Sequence, residues 1–285
     1  MQTEFISYAD SQMEYEGYVA FDGSVTTPRP GVLVFHAWAG QDDFARVQAE
    51  KLAALGYVGF AVDMYGKGRR GNSAQENSAL MQPFMSDRSM LLARAKAALN
   101  TLQHHPQVDR HRIGAIGFCF GGLCAMDVAR AGLEGVRGVV SFHGLLGAPT
   151  GVVAGAKPLH TKILALHGWN DPMAKLADVA AWANELTASG CDWTLEAFGH
   201  RGHAFTNPEA ADAASGMQFC ELANRRAFAA MEDFLGETLS SAPAAKMGRV
   251  SNAGVNDEIG SAALRRAHER CLQNCAAQSN RSRHT

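Results

Sequence analysis

Long apolar segments, closely paired cysteines and an excess of charge of one sign are all absent from this 285-residue sequence. The 26 Lys and Arg residues nearly balance the 28 Asp and Glu residues, which disfavours a protein that coats nucleic acid. No apolar run approaches the roughly 18 residues needed to cross a bilayer. The first ten residues also lack the basic and apolar regions of a signal peptide. We therefore expect neither nucleic acid nor a membrane as a partner.

Cysteine is scarce, and none of the 6 cysteines forms a CxxC pair with another. This usage is typical of a reducing compartment, so we expect a cytoplasmic protein without a disulfide framework or a structural zinc site. Hydrophobic residues make up 47% of the chain and charged residues only 19%. Such a composition excludes global disorder and allows a sizeable core.

The composition changes near residue 240. Residues 1–239 have a net charge of −6, whereas residues 240–285 have a net charge of +4 and begin with the linker-like segment SSAPAAKMG. The apolar stripe further along this tail is too thin to predict an independent domain. We expect one folded domain over 1–239 and a disordered or loosely docked tail over 240–285.

Apolar strand-like runs alternate with helical patterns through the first 239 residues. Runs such as GVLVF and VGFAV are almost continuous, which predicts strands buried on both faces. Such strands, separated by helices, indicate an α/β fold in which helices cover both faces of a mainly parallel sheet. Strands are predicted at 14–21, 31–36, 57–63, 113–118, 137–142, 162–167 and 193–198, and helices at 43–55, 86–104, 120–132, 175–189 and 218–238.

The segment IGAIGFCFGG at 113–122 is the first indication of chemistry. Its G-x-C-x-G pattern places Cys119 where a nucleophile elbow has its serine, in a strained turn between a strand and a helix. The flanking glycines remove side chains that would collide across the turn, and the helix N-terminus favours a thiolate. A buried structural cysteine is the alternative, whereas a phosphate loop is disfavoured because the Walker Lys-Ser/Thr pair is absent.

Two later strand ends supply partners for this thiol. The segment HGWNDPM places Asp171 in a loop, and the segment GHRGHAFTNP places His203 in another. A thiol needs a base, and the base needs a carboxylate that fixes its tautomer. The chain order Cys119, Asp171, His203 is that of acyl hydrolases on such a sheet. His200 remains an alternative base, and Asp171 taken alone is also typical of a turn before proline.

Residues 1–239 resemble the dienelactone hydrolase family, which are α/β-hydrolases with a cysteine nucleophile. The segments that carry the resemblance are FHAWAGQDDF, ALGYVGFAVDMYG, GFCFGG, HGWNDP and GHAFTNP. The resemblance implies the α/β-hydrolase fold, with Cys119 as the nucleophile, His203 as the base and Asp171 as the carboxylate that orients the base.

Further site residues are expected near the candidate nucleophile. An oxyanion hole needs two donors, and we expect the backbone N–H groups of Phe120, after the nucleophile, and of Trp38, by resemblance. Tyr65, Arg88 and His143 are candidates for the substrate pocket because they lie at strand ends or on a neighbouring helix. For Arg88, a solvated helix face is the alternative reading.

The sequence departs from the family pattern at two positions. Many members resemble H-E-x-x-G after the strand 31–36, and the glutamate there contacts the resting cysteine, but this sequence has Ala37. Some members hold a substrate carboxylate with an arginine at the position of Asn207. Both departures favour a divergent subgroup with a substrate other than dienelactone.

We therefore expect a carboxylic ester hydrolase that cleaves a small ester or lactone, with thioesters as a further option, through a thioester acyl-enzyme. This carboxymethylenebutenolidase-like reaction requires no metal or organic cofactor, and the protein is expected to be a monomer or a homodimer. One alternative is a hydrolase-fold binding or scaffold protein with little turnover, because Ala37 cannot accept a proton. Another is redox use of Cys119.

Overall fold

The computed structural model describes residues 1–11 and 13–240. Apart from Ser240, the predicted tail over 240–285 lies outside the described residues. The strands are β1 (Gln2–Ala9), β2 (Glu14–Phe21), β3 (Arg29–Phe35), β4 (Val58–Ala61), β5 (Val108–Phe118), β6 (Val136–Phe142), β7 (Lys162–Gly168), β8 (Trp193–Phe198), β9 (Ala211–Asp212) and β10 (Met217–Gln218). The helices are α1 (Asp43–Ala54), α2 (Ala74–Ser86), α3 (Arg88–Gln103), α4 (Phe120–Ala131), α5 (Leu176–Ala188) and α6 (Glu221–Leu239).

The first eight strands form one sheet in the order β1-β2-β4-β3-β5-β6-β7-β8. The neighbours from β4 to β8 are parallel, whereas β2 pairs antiparallel with both β1 and β4. One apolar core lies between the sheet and helices α3, α4 and α5, and a second lies between the sheet and helices α1 and α6. The predicted α/β class, with a mainly parallel sheet covered on both faces, is confirmed.

Strand β3 shows why the buried runs are continuous. Successive side chains of a strand point to opposite faces of the sheet. Leu33 and Phe35 therefore pack in the core beside α3 and α4, whereas Val32 and Val34 pack in the core beside α1 and α6. All four side chains are fully buried because each face of the sheet has its own layer of helices.

Four elements were missing from the sequence prediction, namely β1, α2 and the two-residue strands β9 and β10. Strand β1 lies at the edge of the sheet and is mostly exposed, so its sequence has no buried face to reveal it. Helix α2 contains Pro83, which is atypical of a helix interior. Its start was nevertheless marked, because the side chain of Ser73 accepts a hydrogen bond from the N–H of Glu76 at 3.2 Å.

Two predicted helix starts were too early by two or more residues. Helix α3 begins at Arg88 and not at 86, because the carboxylate of Asp87 caps it by accepting from the N–H groups of Ser89 and Met90. Helix α6 begins at Glu221 because β10 pairs with β9 just before it. Among the described helices, none has the length and apolar character to cross a bilayer.

The parallel strands bring several polar side chains to one edge of the sheet. His36, Cys119 and His143 directly follow β3, β5 and β6, and Asp171 and His203 follow β7 and β8. In sheets of this type, ligands bind at the carboxyl ends of the strands. The fold therefore gathers the predicted site residues at the edge where a binding site is expected.

Candidate active site

Cys119 stands in a strained turn between β5 and α4. Its backbone has φ 56° and ψ −115°, a conformation that side chains with a Cβ atom rarely adopt. A Cβ atom added to Gly117 would lie 2.0 Å from the carbonyl oxygen of Gly121, so the turn between β5 and α4 requires glycine at position 117. The strained turn that the sequence predicts between a strand and a helix is present, and the free thiol of Cys119 at its tip is partly exposed.

Gly121 allows the first turn of α4 to approach the end of β3 closely. A Cβ atom there would lie 2.1 Å from the carbonyl oxygen of Phe35, so the first turn of α4 rests directly on the end of β3. The N–H of Phe120 is the first in α4 and has no partner inside the helix. This contact therefore fixes the start of α4, which includes the Phe120 N–H, beside the end of β3.

His203 and Asp171 form a buried hydrogen-bonded pair. The Nδ1 atom of His203 lies 2.8 Å from Oδ2 of Asp171, and their side chains are only 3% and 0% exposed. The other carboxylate oxygen accepts the N–H of Met173 at 2.8 Å, which fixes the orientation of the carboxylate. With Nδ1 donating to Asp171, Nε2 of the neutral ring presents a lone pair, as a general base requires.

The electrostatics of His203 depend on Cys119. Burial alone lowers the pKa of His203, but the charge of Cys119 and the hydrogen bond to Asp171 outweigh burial and raise this pKa to about 10. Nε2 of His203 has no hydrogen bond of normal geometry within the described residues, although Cys119 is near enough to dominate its electrostatics. The ring of His203 is therefore protonated at neutral pH, beside the thiol of Cys119.

His200, the alternative base, is exposed and stands in the left-handed region with φ 62°. The carboxylate of Asp171 is hydrogen-bonded to His203 instead. Every described non-glycine residue with positive φ lies in the loops after β5, β6 and β8; these residues are Cys119, His143, His200 and Ala204. Backbone strain is thus concentrated around the candidate triad, as is common at functional sites.

His143 was predicted to be a pocket residue, but it is buried and packs against the ring of His203. It is 2% exposed, and its ring meets that of His203 edge to face with centroids 5.1 Å apart. Its Nε2 atom lies 2.8 Å from Oγ1 of Thr206, a residue to which the sequence analysis gave no role. Burial, followed by repulsion from His203, lowers the pKa of His143 well below 6.5, so this ring is neutral.

Tyr65 is also buried and does not form an open pocket wall. Only 1% of the residue is exposed, and its hydroxyl donates a hydrogen bond to the carbonyl oxygen of Trp38 at 2.9 Å. Tyr65 therefore holds the loop that contains the second expected oxyanion donor.

Arg88 is engaged elsewhere. Its guanidinium binds the carboxylate of Asp127 through two hydrogen bonds of 2.6 Å, so it is neither a solvated side chain nor a free anion ligand. The pair lines a cavity of about 620 Å³ to which Cys119, Asp171 and His203 do not contribute. Within the described part of the chain, no group of three His, Cys, Asp or Glu residues is arranged to hold a metal ion.

A parallel sheet with a strained nucleophile turn, followed by a carboxylate and then a histidine at later strand ends, defines an α/β-hydrolase. The profile of the dienelactone hydrolase family matches residues 15–239. The chain belongs to this family and is a carboxylic ester hydrolase.

Several known proteins are similar to this chain. The solved structure m3DLH is 34% identical, with a TM-score of 0.79, and the match covers 84% of this chain and 99% of that one. A dienelactone hydrolase-like promiscuous phosphotriesterase from metagenomic libraries is 31% identical, with a TM-score of 0.78 and the same coverage. A protein of Aquifex aeolicus, provisionally named a carboxymethylenebutenolidase, is 26% identical over 76% of this chain and 93% of its own length.

Proposed function

We propose that the protein hydrolyses carboxylic esters or lactones with Cys119 as nucleophile, His203 as base and Asp171 as the group that orients the base. The observation that carries this proposal is the buried hydrogen bond between His203 and Asp171 beside the strained turn of Cys119. The three side chains lie at one edge of the sheet, and a nucleophile, its base and an orienting carboxylate need such a shared location, which supports the proposal.

Acylation is the first half of the proposed reaction. The Cys119 thiolate attacks the carbonyl carbon, and the C=O electron pair moves onto oxygen to form an oxyanion. The N–H groups of Phe120 and Trp38 stabilise this oxyanion, because donors aimed at a developing charge lower the barrier. When the oxyanion collapses, the C–O bond breaks, and the alcohol leaves with the proton from Nε2 of His203.

Deacylation regenerates the enzyme. Nε2 of His203 takes a proton from water, which attacks the thioester carbonyl carbon. The C–S bond then breaks, the acid product leaves, and the negative charge returns to Cys119 beside the imidazolium. Asp171 stabilises the imidazolium in both halves of the reaction without accepting its proton.

The surroundings of Cys119 favour an uncharged substrate. Ala37 places no carboxylate in the glutamate position, Asn207 supplies no guanidinium, and Arg88 is bonded to Asp127. None of these three positions therefore provides a partner for a second carboxylate on the substrate. We propose neutral esters and lactones as the preferred substrates.

Neutral phosphotriesters are a second candidate substrate class. The similar phosphotriesterase is 31% identical and is matched over 99% of its length. The same thiolate could attack phosphorus, and the same N–H donors could stabilise the phosphoryl oxygen. Ala37 places no negative charge against the phosphoryl group. The scaffold alternative is not favoured, because the Asp171–His203 pair is in hydrogen-bonding geometry.

Kinetics of Cys119→Ala test the proposal. Hydrolysis of 4-nitrophenyl butyrate should fall by about 10³-fold or more, since loss of a triad nucleophile removes the covalent pathway. Cys191→Ala is the matched control, because Cys191 is another partly exposed free cysteine that lies outside the candidate triad. A folded Cys119→Ala protein with undiminished ester hydrolysis would refute the mechanism.

Paraoxon turnover by the same variants tests the phosphotriester candidate, which is rejected if wild-type protein shows none.

A further inference from the structure

His36 forms two buried hydrogen bonds with backbone groups at the edge of the site. It directly follows β3 and is 1% exposed. Its Nδ1 atom lies 2.5 Å from the carbonyl oxygen of Ala37, and its Nε2 atom lies 3.2 Å from the backbone nitrogen of Met64. The ring therefore connects the loop after β3 to the loop after β4.

The partners of His36 determine its tautomer. A carbonyl oxygen only accepts, so Nδ1 carries the hydrogen, and the N–H of Met64 only donates, so Nε2 has a lone pair. Both bonds exist together only in the neutral Nδ1–H form. Burial supports this form, because it lowers the pKa of His36 despite the opposite effects of the Ala37 carbonyl and Asp63.

The bond to Ala37 is the shorter of two that fix the direction of the next N–H group, since the Ala37 carbonyl also accepts from the N–H of Gly40 at 3.3 Å. The carbonyl of Ala37 and the N–H of Trp38 belong to one planar trans peptide, so they point in opposite directions. A donor that holds the carbonyl therefore also aims the N–H. Tyr65 holds the following peptide through the Trp38 carbonyl, and its ring packs edge to face on His36 with centroids 4.8 Å apart.

We propose that His36 is a positioning residue of the oxyanion hole, whose Nδ1–H orients the Ala37–Trp38 peptide so that the Trp38 N–H faces the reacting carbonyl oxygen. This inference rests on the proposed hydrolytic function. Oxyanion donors act only within about 2.7–3.1 Å of the developing charge, so a rotated peptide would lose its contribution. The nucleophile itself does not depend on this peptide.

Two reactions of Cys119 distinguish a defect in the oxyanion hole from a defect in the nucleophile. Ester hydrolysis needs the oxyanion hole, whereas alkylation by iodoacetamide is a displacement at carbon that forms no oxyanion. His36→Phe should lower kcat for 4-nitrophenyl butyrate by about 10²- to 10³-fold, with little change in KM. Alkylation of Cys119 should keep the wild-type rate. His36→Asn retains a donor near the Nδ1 position and should remain within about tenfold of wild-type kcat, a modest loss compared with removal of an oxyanion donor.

Two control variants complete the experiment. His105→Phe replaces another buried histidine, whose Nε2 atom bonds Glu4 at 3.2 Å, and it should leave kcat unchanged. Tyr65→Phe keeps the ring but removes the hydroxyl that holds the Trp38 carbonyl. It should lower kcat and spare alkylation, so it provides the test if circular dichroism shows that His36→Phe is unfolded.

The outcomes distinguish this inference from the proposed function. If wild-type protein hydrolyses the ester, Cys119→Ala does not, and neither His36→Phe nor Tyr65→Phe lowers kcat, then His36 has no positioning role. The inference is also overturned if His36→Phe loses alkylation as severely as hydrolysis, or if His36→Asn is no better than His36→Phe. Activity in Cys119→Ala would instead refute the proposed function.

Discussion

Between pH 6 and 8, alkylation of Cys119 by iodoacetamide should be slower by about tenfold or more in His203→Ala than in the wild-type protein, because the charge of the protonated ring beside the thiol is lost. The reason is that the pKa of His203 rises from 6.5 to about 10 through the charge of Cys119 and the bond to Asp171, against the effect of burial. The ring therefore stays protonated through this pH range, and the expected tenfold change in rate corresponds to about 1.4 kcal/mol.

The assay follows modification of individual cysteine peptides by mass spectrometry across the pH range. Cys191 is an internal control, because burial, followed by the charge of Asp192, raises its pKa to about 11, so it should react only in alkaline solution. Ala37→Glu should slow alkylation of Cys119 at neutral pH, since a nearby negative charge disfavours the thiolate. Equal rates of Cys119 alkylation in the wild-type protein and in His203→Ala would refute this effect of the imidazolium.

Three further results are expected. His203→Ala should lose ester hydrolysis by about 10³-fold or more, while His200→Ala should change it little in the same assay; equal losses would contradict the choice of base. Gly121→Ala should lower the free energy of unfolding by more than about 2 kcal/mol in urea titrations, because its Cβ would lie 2.1 Å from a carbonyl oxygen. Gly236→Ala in α6, where a Cβ meets nothing within 4 Å, should raise it by about 0.5–1 kcal/mol, and a similar loss in both would oppose this account. Truncation after residue 239 should leave a folded, active enzyme by circular dichroism and ester turnover; an insoluble or inactive product would contradict the predicted domain boundary.

The sequence was sufficient to predict those parts of the fold that depend on local burial patterns. Strand β3 is apolar from Gly31 to Phe35 because both faces are covered, so it could be recognised without its neighbours. Strand β1 could not, because an exposed edge strand is defined by its pairing with β2 and not by an apolar face. Helix α2 carried a usable capping signal at Ser73, which Pro83 obscured.

The candidate site likewise has a part that could be predicted from the sequence and a part that could not. Cys119, Asp171 and His203 each follow a recognisable strand, so their shared location could be expected from topology alone. The hydrogen bond that connects His36 to Met64 joins residues 28 positions apart, and no local pattern specifies it.

The bidentate bond between Arg88 and Asp127 joins residues 39 positions apart, which is why Arg88 was wrongly considered free or solvated. The burial of Tyr65 and His143 likewise results from packing between distant loops. Such roles require the folded backbone, because side chains that meet across the sheet share no sequence periodicity.

Peptide mass spectrometry after rapid acid quenching of the wild-type enzyme with 4-nitrophenyl butyrate tests the central claim most directly. The account predicts a butyryl group attached through a thioester to the peptide that contains Cys119, formed and lost at rates compatible with turnover. A butyryl group on a different residue, or turnover that proceeds with no acyl group on Cys119 at any time, would contradict it.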